Sequence, residues 1–397
     1  MRMEEKEFVA TEHLSLRFEH GKTDIYIGGE RFMQCKYLLF INPHLDPNQW
    51  EIDSIDEAKE LLNSDMEGRT LKRNDFSITP EQEFWAHCSN IQVWVEHDYD
   101  TRLLHSNLAF PLLRALLEVG DKKAKRVFLD EIGKRLESAY PPVVEFLQEE
   151  GFLDFLSRED FYRTILKSEE EVEYMLLLEK MVGEPLQYQA KLHEETWRSF
   201  SMENGRITAL NLAEMPLRTI PEGIGVFEKL SVLYLGACKL ESLPSDFDRL
   251  ESLTFLELSA NFLTEFPKAV CKFTRLERLE IYENKISTIP ECFGNLRRLK
   301  FLDFGNNELR SLPESFGKLV SLEYADFVNN YLCTIPNSMG ELTSLKRLDI
   351  RRNNLRDIPE SLLKLRNLKR FDTTYNENIS KGAKALICKL KEKGVRA

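Results

Sequence analysis

An uninterrupted 23-residue period through the second half of the chain constrains the fold more than any other feature of the sequence. Eight units follow one another without insertion or deletion, and each opens on a leucine or isoleucine. The unit reads LxxLxLxxNxLxxLPxx and continues with two further apolar positions. One unit of this length cannot bury its own apolar side, so stacked units must share a continuous core. The units open at Ile207, Leu230, Leu253, Leu276, Leu299, Leu322, Leu345 and Leu368.

Three features of the unit predict its conformation. The LxxLxL segment ends in an alternation of period two, which predicts a short strand and, after stacking, a parallel sheet. Asparagine stands at position 9 from Asn261 to Asn376, whereas Met215 and Cys238 occupy that position in the first two units. A buried Asn at a sharp bend must satisfy its amide against neighbouring backbone, which predicts an asparagine ladder between coils. Proline at position 15, from Pro221 to Pro359, fixes φ where the chain leaves the sheet.

Both ends of the repeat array have sequences typical of caps. Trp197, Phe200 and the turn Glu203-Asn204-Gly205 predict a hairpin that leads into the first unit. The eighth unit breaks off at Asn376, and Ser380 begins an amphipathic segment that predicts a helix sealing the open end of the core. The apolar side of that segment consists of Ala383, Leu386, Ile387 and Leu390.

The 23-residue unit with its Ile/Leu-Pro pair resembles the leucine-rich repeats of plant disease-resistance proteins and of Ras-pathway scaffold proteins. The resemblance covers roughly residues 200–380. It implies a solenoid whose concave sheet recognises protein partners, and it brings no catalytic residues with it. A partner connected with small-GTPase pathways is implied by this resemblance alone.

The concave face of the predicted solenoid carries side chains from unit positions 2, 3, 5, 7 and 8. Position 5 holds a carboxylate in six consecutive units, from Glu257 to Asp372, and position 3 of the same units holds aromatic residues and arginines. Aromatic residues and arginine dominate the energetics of protein interfaces, which favours this strip as a binding surface. The candidate partner-binding residues are Phe255, Glu257, Arg278, Glu280, Tyr282, Phe301, Asp303, Tyr324, Asp326, Arg347, Asp349, Arg351, Arg370 and Asp372.

Two alternatives compete with that interpretation. The carboxylates can form a solvated ladder that the arginines merely neutralise. Towards the C-terminus the face becomes basic, which suits an acidic or phosphorylated peptide or the chain's own acidic front half. The basic residues are Lys346, Arg347, Arg351, Arg352, Lys369 and Arg370.

The first half of the chain predicts a mainly helical domain with a small β-meander over residues 12–42. Alternating segments around Leu16 and Ile25, with turns at Gly21 and Gly28, indicate the meander, and helix signals begin at residue 54. Thr79-Pro80-Glu81-Gln82 is a capping box, and Pro111 is expected to bend or split an apolar helix. The predicted organisation is therefore an α+β domain at 1–185, a connecting hairpin at 186–206, an α/β leucine-rich-repeat solenoid at 207–379 and a capping helix at 380–397.

One cluster in the helical half invites a chemical interpretation. His87, Cys88, His97 and His105 are the weak candidates for a metal or catalytic site. His87 and His97 are ten residues apart, which is an awkward spacing for one face of a helix, and Trp85 and Trp94 suggest packed core instead. We therefore expect neither an enzyme nor a cofactor. The alternative is an enzymatic or metal-binding N-terminal domain that the solenoid regulates.

Charge and cysteine usage narrow the function classes. The net charge is −12, and it divides into +5 from Gly205 onward and −17 before it, which argues against nucleic-acid binding. Seven scattered cysteines without a CxC or CxxC pair predict reduced thiols in a cytoplasmic protein. The chain has neither a signal-peptide pattern nor an apolar run long enough to span a membrane. The sequence thus predicts a non-catalytic scaffold or adaptor in intracellular signalling or regulation.

Overall fold

A computed structural model describes residues 5–32, 79–104, 106–137 and 139–396. The predicted meander beyond residue 32, the predicted helix start at residue 54 and the candidate ligand His105 lie outside the described residues. By its contacts the chain divides into two compact units, Met1–Arg135 and Leu136–Ala397. Each unit is described by itself below.

The first compact unit begins with a four-stranded antiparallel meander. Its strands are β1 (Lys6–Val9), β2 (Leu14–Glu19), β3 (Lys22–Ile27) and β4 (Glu30–Phe32), paired in chain order. Apolar and polar residues alternate along β2, so that one face carries the buried Leu14, Leu16 and Phe18. Phe18 packs against Phe84 with ring centroids 5.6 Å apart, which closes this face.

Three helices complete this unit: α1 (Pro80–Glu96), α2 (Ser106–Glu118) and α3 (Lys122–Glu137, which runs two residues past the boundary). The predicted capping box is present, because the Thr79 hydroxyl accepts a hydrogen bond from the Gln82 amide and the Gln82 side chain accepts one from the Thr79 amide. Of the two expected effects of Pro111, splitting does not occur, because α2 continues through Pro111 as one helix. The Pro111 position loses one hydrogen bond, and burial of the surrounding leucines compensates for it.

Three further helices belong to the second compact unit: α4 (Pro141–Glu149), α5 (Arg158–Ile165) and α6 (Glu169–Val182). The sequence predicts them as part of the N-terminal domain, whereas their contacts group them with the segment that contains the repeats. The fully buried Glu171 accepts hydrogen bonds from Arg206 Nε at 2.7 Å and from the Ile207 amide at 3.0 Å. Tyr174 packs edge-on against Phe227 at 5.2 Å. Helix α6 therefore covers the first coil of the solenoid.

A ten-stranded sheet runs through the rest of the chain. It begins with β5 (Gln187–Tyr188), β6 (Ser199–Glu203) and β7 (Arg206–Asn211), and β6 pairs antiparallel with β7 as the predicted hairpin. Each later coil adds one parallel strand in the same register, built from unit positions 3 to 5. These strands are β8 (Val232–Tyr234), β9 (Phe255–Glu257), β10 (Arg278–Glu280), β11 (Phe301–Asp303), β12 (Tyr324–Asp326), β13 (Arg347–Asp349) and β14 (Arg370–Asp372).

The far side of the coils consists of short 3₁₀ turns, which begin directly after the proline column except in the first coil, where the turn begins at Ile224. Because proline supplies φ near −65° and needs no backbone donor, it suits the position before each turn. The leucine or phenylalanine that follows each turn packs into the shared core. The turns span Ile224–Val226, Ser245–Arg249, Lys268–Lys272, Glu291–Asn295, Glu314–Lys318, Asn337–Glu341 and Glu360–Lys364.

The predicted asparagine ladder is present. Asn307 donates from Nδ2 to the carbonyl of Ile281 in the preceding coil at 3.0 Å and accepts at Oδ1 from the Ile286 amide at 3.1 Å. Asn261, Asn284, Asn330, Asn353 and Asn376 make the same pair of contacts. Cys238 at the same position reaches the Leu212 carbonyl with its thiol, which is a weaker donor. The predicted helix α7 (Lys381–Glu392) begins after Ser380 and buries Ala383, Leu386 and Leu390 at the end of the solenoid.

The expectation that all cysteines are reduced is wrong for one pair. Cys271 and Cys292 form a disulfide, with their Cα atoms 5.6 Å apart. They lie 21 residues apart rather than 23, so they occupy different unit positions. The stacking of consecutive 3₁₀ turns nevertheless brings them together on the far side of the sheet. Cys88, Cys238, Cys333 and Cys388 are free.

Candidate functional site on the concave face

A continuous column of aromatic and guanidinium groups runs across the concave face. Phe301 and Tyr324 stack with centroids 4.5 Å apart and planes at 5°. Arg278 lies over Phe301 at 4.3 Å and near Phe255 at 5.7 Å, while Arg347 lies over Tyr324 at 5.1 Å. The parallel register places these residues side by side on consecutive strands, so unit position 3 forms one half-buried ridge.

The six carboxylates at position 5 form a second column beside this ridge. They come from Glu257, Glu280, Asp303, Asp326, Asp349 and Asp372, and the register pairs each with the next. Like charges on neighbouring strands repel one another, so each carboxylate needs a counterion, a hydrogen bond or a proton. The two ends of the column meet this need differently.

At the C-terminal end, arginines neutralise the carboxylates. Asp349 is fully buried and lies 3.3 Å from Arg347 and 2.8 Å from Arg351. Asp372 lies 3.2 Å from Arg370 and 3.7 Å from Arg351. Burial opposes ionisation of Asp372, but hydrogen bonds from Thr374 and Arg370 outweigh it and lower the pKa of this carboxyl. Asp372 therefore stays ionised.

Towards the N-terminal end, the carboxylates have fewer cations. Burial, with the charge of Glu280 as the next contribution, raises the pKa of Glu257 to about 7. Burial likewise raises the pKa of Asp303 to about 6 and raises that of Asp326. Tyr324 donates its hydroxyl to Asp326 at 2.9 Å, which partly replaces a counterion.

The candidate partner-binding residues therefore lie together on one face of one sheet. The structure contains contacts that fit both interpretations of the arginines, as neutralising groups and as part of a binding surface. Arg278, Arg347 and Arg370 each contact the carboxylate two residues later on the same strand, as neutralising groups would. Arg278 and Arg347 stack on the aromatic ridge as well. Phe255 and Phe301 also have a structural role, since they are half-buried between neighbouring side chains of the ridge.

Several residues of this surface escape sequence reasoning. Trp197 and Glu194 precede the periodic region, so no column assigns them to the face, yet they line a depression at its N-terminal end. Phe262 and Tyr331 share position 10, and each side chain is about half exposed. Tyr375 at position 8 is 68% exposed. Position 8 is one of the unit positions predicted on the concave face, so Tyr375 could be found from the sequence. Comparing position 10 between units would also find Phe262 and Tyr331.

The predicted metal candidates do not assemble into a site in the described part of the chain. His87 and Cys88 are buried in α1, and burial raises the pKa of the Cys88 thiol to about 12, which makes it a poor nucleophile. His97 follows α1 and is exposed, with Nδ1 2.9 Å from the Val93 carbonyl. Among the described residues, no three His, Cys, Asp or Glu side chains are grouped as metal ligands.

Comparisons with known proteins agree with this architecture. Residues 267–392 match the family model described as a leucine-rich repeat region. The chain therefore contains a leucine-rich repeat region. A search of curated proteins finds no match. None of the described helices has the length and apolarity needed to cross a membrane.

Three of the similar solved structures are a bacterial leucine-rich-repeat protein and two plant receptors. A leucine-rich-repeat protein of Leptospira interrogans is 29% identical, with 48% of this chain and 54% of that chain covered and a TM-score of 0.40. The leucine-rich-repeat ectodomain of the Arabidopsis thaliana receptor kinase GASSHO1/SCHENGEN3, in complex with CASPARIAN STRIP INTEGRITY FACTOR 2, is 30% identical over 44% and 22%, with a TM-score of 0.40. A plant peptide hormone receptor in complex with RGF2 is 25% identical over 42% and 32%, with a TM-score of 0.36.

The chain spans about half of the Leptospira protein and less of the two plant chains. The repeats support a role in protein interaction. The comparisons lend no support to the expected connection with small-GTPase pathways, and that expectation is not carried further.

Proposed function

We propose that this protein is a non-catalytic adaptor that binds a protein partner along the concave face, in intracellular signalling or regulation. The observation that carries the proposal is the continuous ridge from Phe255 to Arg347, bordered by a carboxylate column. Aromatic and arginine side chains already held by stacking lose little conformational entropy when a partner covers them.

The carboxylates supply specificity rather than most of the affinity. Half-buried charges that lack full compensation favour a partner with basic groups and reject an acidic one. Asp303 and Asp326 lie at the centre of the column, beside the stacked pair Phe301 and Tyr324. We therefore place the centre of the interface on these four residues.

Site-specific cross-linking tests this placement. A photoreactive phenylalanine derivative at Phe301 should cross-link a protein partner in cells, whereas the same group at the exposed Glu251 outside the concave face should not. Cross-links of equal yield and identity from both positions would contradict the proposal.

Charge removal at the centre provides the second arm. Asp303 and Asp326 each accept a hydrogen bond from the amide two residues later, at 2.8 Å in both cases. Asp303→Asn with Asp326→Asn keeps these acceptors and should lower capture of the cross-linked partner at least about tenfold, or about 1.4 kcal/mol. The melting temperature should stay within a few degrees, which separates lost binding from lost folding.

The cytoplasm is the proposed compartment. Cys333 and Cys388 are free and exposed, as befits a reducing environment, whereas the Cys271–Cys292 disulfide is the observation against it. Alkylation of thiols in intact cells, followed by mass spectrometry, decides the question. Recovery of the Cys271–Cys292 pair mainly as a disulfide would overturn the cytoplasmic assignment.

A further inference from the structure

A depression of about 200 Å³ lies at the N-terminal end of the concave face. Side chains of β8, β9 and β10 form its floor, and residues Glu194 and Trp197, which precede β6, contribute to its rim. The space is smaller than the several hundred cubic ångströms typical of pockets for drug-sized molecules. It is therefore of a size for one side chain or one small ion rather than for a cofactor.

Aromatic rings make up much of the wall. Tyr234 and Phe255 pack together with centroids 4.6 Å apart, and Tyr282 and the half-exposed Trp197 also line the depression. Aromatic faces carry negative charge density and attract cations positioned over the ring. Four rings around one small space are characteristic of a site for an organic cation.

The remaining polar lining is acidic. Glu194, Glu214, Glu257 and Glu280 line the depression, and no lysine, arginine or histidine is among its described lining residues. Arg278 pairs with Glu280, lies 4.0 Å from Glu194 and is 5.7 Å from the Phe255 ring, so it stands beside the depression, but it makes no ion pair with Glu257. Within the described part of the chain, Glu257 has no ion pair.

Glu257 is the lining carboxyl group that most clearly lacks a counterion. Its hydrogen-bond partner is the backbone of Gly236, and the charges of Glu280 and Glu194 work against its ionisation. A Cβ atom at Gly236 would collide with the Glu257 carboxyl group, so glycine permits this carboxyl to lie over the strand. Ala237 and Ala260 keep the adjacent space open. A carboxyl group held this way gains most from a cation placed in the depression.

We infer that this depression binds the ammonium or guanidinium group of a lysine or arginine side chain presented by the protein partner. The inference rests on the proposed function and specifies the chemistry of its N-terminal contact. The carboxylates neutralise the incoming charge while the rings contact its apolar stem and its cationic face. Arginine suits the site especially well because its planar fork can stack on a ring and pair with a carboxylate at once.

The first test uses n-butylguanidinium chloride as the probe and the full chain with labelled alanine methyl groups. The methyl signals of Ala213, Ala237 and Ala260 lie in the wall and should shift saturably, whereas that of the buried Ala325 should not. Glu257→Gln should weaken the response at least tenfold, and Glu251→Gln, an exposed change of equal charge, should leave it unchanged. An equal response in Glu257→Gln, or an equal response to uncharged n-pentanol, would overturn the inference.

The second test separates a side chain from a free small cation. A random peptide library displayed against the full chain should enrich one lysine or arginine whose selection disappears with Glu257→Gln. Binding of n-butylguanidinium without such enrichment would overturn the assignment to a partner side chain. Cross-linking from Phe301 is measured separately. A lost cation response with retained cross-links therefore removes only this inference, and the reverse result removes only the proposed interface.

Discussion

The two ends of the concave face carry the same residue type at the same repeat position and yet behave as opposites. Asp349 and Asp372 near the C-terminal end are held by Arg347, Arg351 and Arg370. Glu257 at the other end has aromatic neighbours and further carboxylates, and burial raises its pKa to about 7. The backbone register is the same at both ends, so the neighbouring side chains account for the contrast.

The comparison shows which repeat positions control the charge of the face. Position 7 holds Arg351 at the C-terminal end but Tyr282 at the N-terminal end. Position 3 holds Arg347 and Arg370 at the C-terminal end, whereas it holds Val232 and Phe255 at the N-terminal end. At the C-terminal end, the arginines of the chain itself neutralise Asp349 and Asp372, so these carboxylates need no cation from a ligand. At the N-terminal end Arg278 pairs with Glu280 and approaches Glu194, whereas Glu257 has no ion pair among the described residues. The partner is proposed to supply the cation for Glu257.

Removing the internal cations should have the largest effect. Arg347→Leu with Arg351→Leu leaves the fully buried Asp349 without its guanidinium partners, and the free energy of unfolding should fall by about 2–4 kcal/mol. Urea denaturation measures this loss. Arg310→Leu with Arg356→Leu, two exposed arginines outside the concave face, is the matched control and should change stability by less than about 0.5 kcal/mol. Equal losses in the two double variants would contradict the role given to the internal ion pairs.

Tyr282→Arg should make the N-terminal end resemble the C-terminal end. The new guanidinium would follow Glu280 by two residues, as Arg351 follows Asp349, with which it forms an ion pair. Its positive charge should lower the pKa of Glu257 by about one unit or more. Binding of n-butylguanidinium should weaken at least tenfold because the depression then holds its own cation. Carbon-13 NMR of the glutamate carboxyl groups follows the titration. Tyr282→Leu removes the ring without adding charge, and an identical pKa of Glu257 in the two variants would refute the comparison.

The pH dependence of stability should have opposite signs at the two ends, with the smallest effect of the three. The pKa of Glu257 is raised from 4.5, so the folded state binds more protons than the unfolded state and wild-type stability falls as pH rises from about 4.5 to about 7. Glu257→Gln lacks this loss and should be about 1 kcal/mol more stable than wild type at pH 8, with no difference below pH 4.

Asp372→Asn is the matched opposite case. The pKa of Asp372 is lowered from 3.8, so its contribution is present above that value and disappears as pH falls through the folded-state pKa. The variant should be about 0.5 kcal/mol less stable than wild type at pH 8 and equal to it at low pH. Urea denaturation at pH 4, 6 and 8 checks both variants, and differences of the same sign would contradict the contrast.

The repeat half could be predicted closely from the sequence because one physical pattern is written eight times. Leu302 and its equivalents assign the inward face, and Asn307 and its equivalents assign the bend, so the register of every strand followed. The acidic column followed from that register. Periodicity could not predict features that break it, such as the Cys271–Cys292 contact at a spacing of 21 residues.

Contacts formed by non-repeating segments could not be predicted from the sequence either. Helix α6 covers the first coil through Glu171 and Tyr174, although the sequence pattern of the helix does not predict which segment it packs against. Trp197 and Glu194 reach the depression because β6, which follows them in the chain, pairs with β7 of the first unit. These contacts join residues far apart in the chain, and local periodicity carries no information about them.

The sequence by itself determined the coil, its length and the identity of each column on the sheet, because stacking identical units leaves one register that buries every leucine. Only the tertiary structure decided which carboxylates have counterions, since that depends on side chains brought together from neighbouring coils and from outside the repeats. Charge compensation is a property of distance and burial, and neither is written in a single unit.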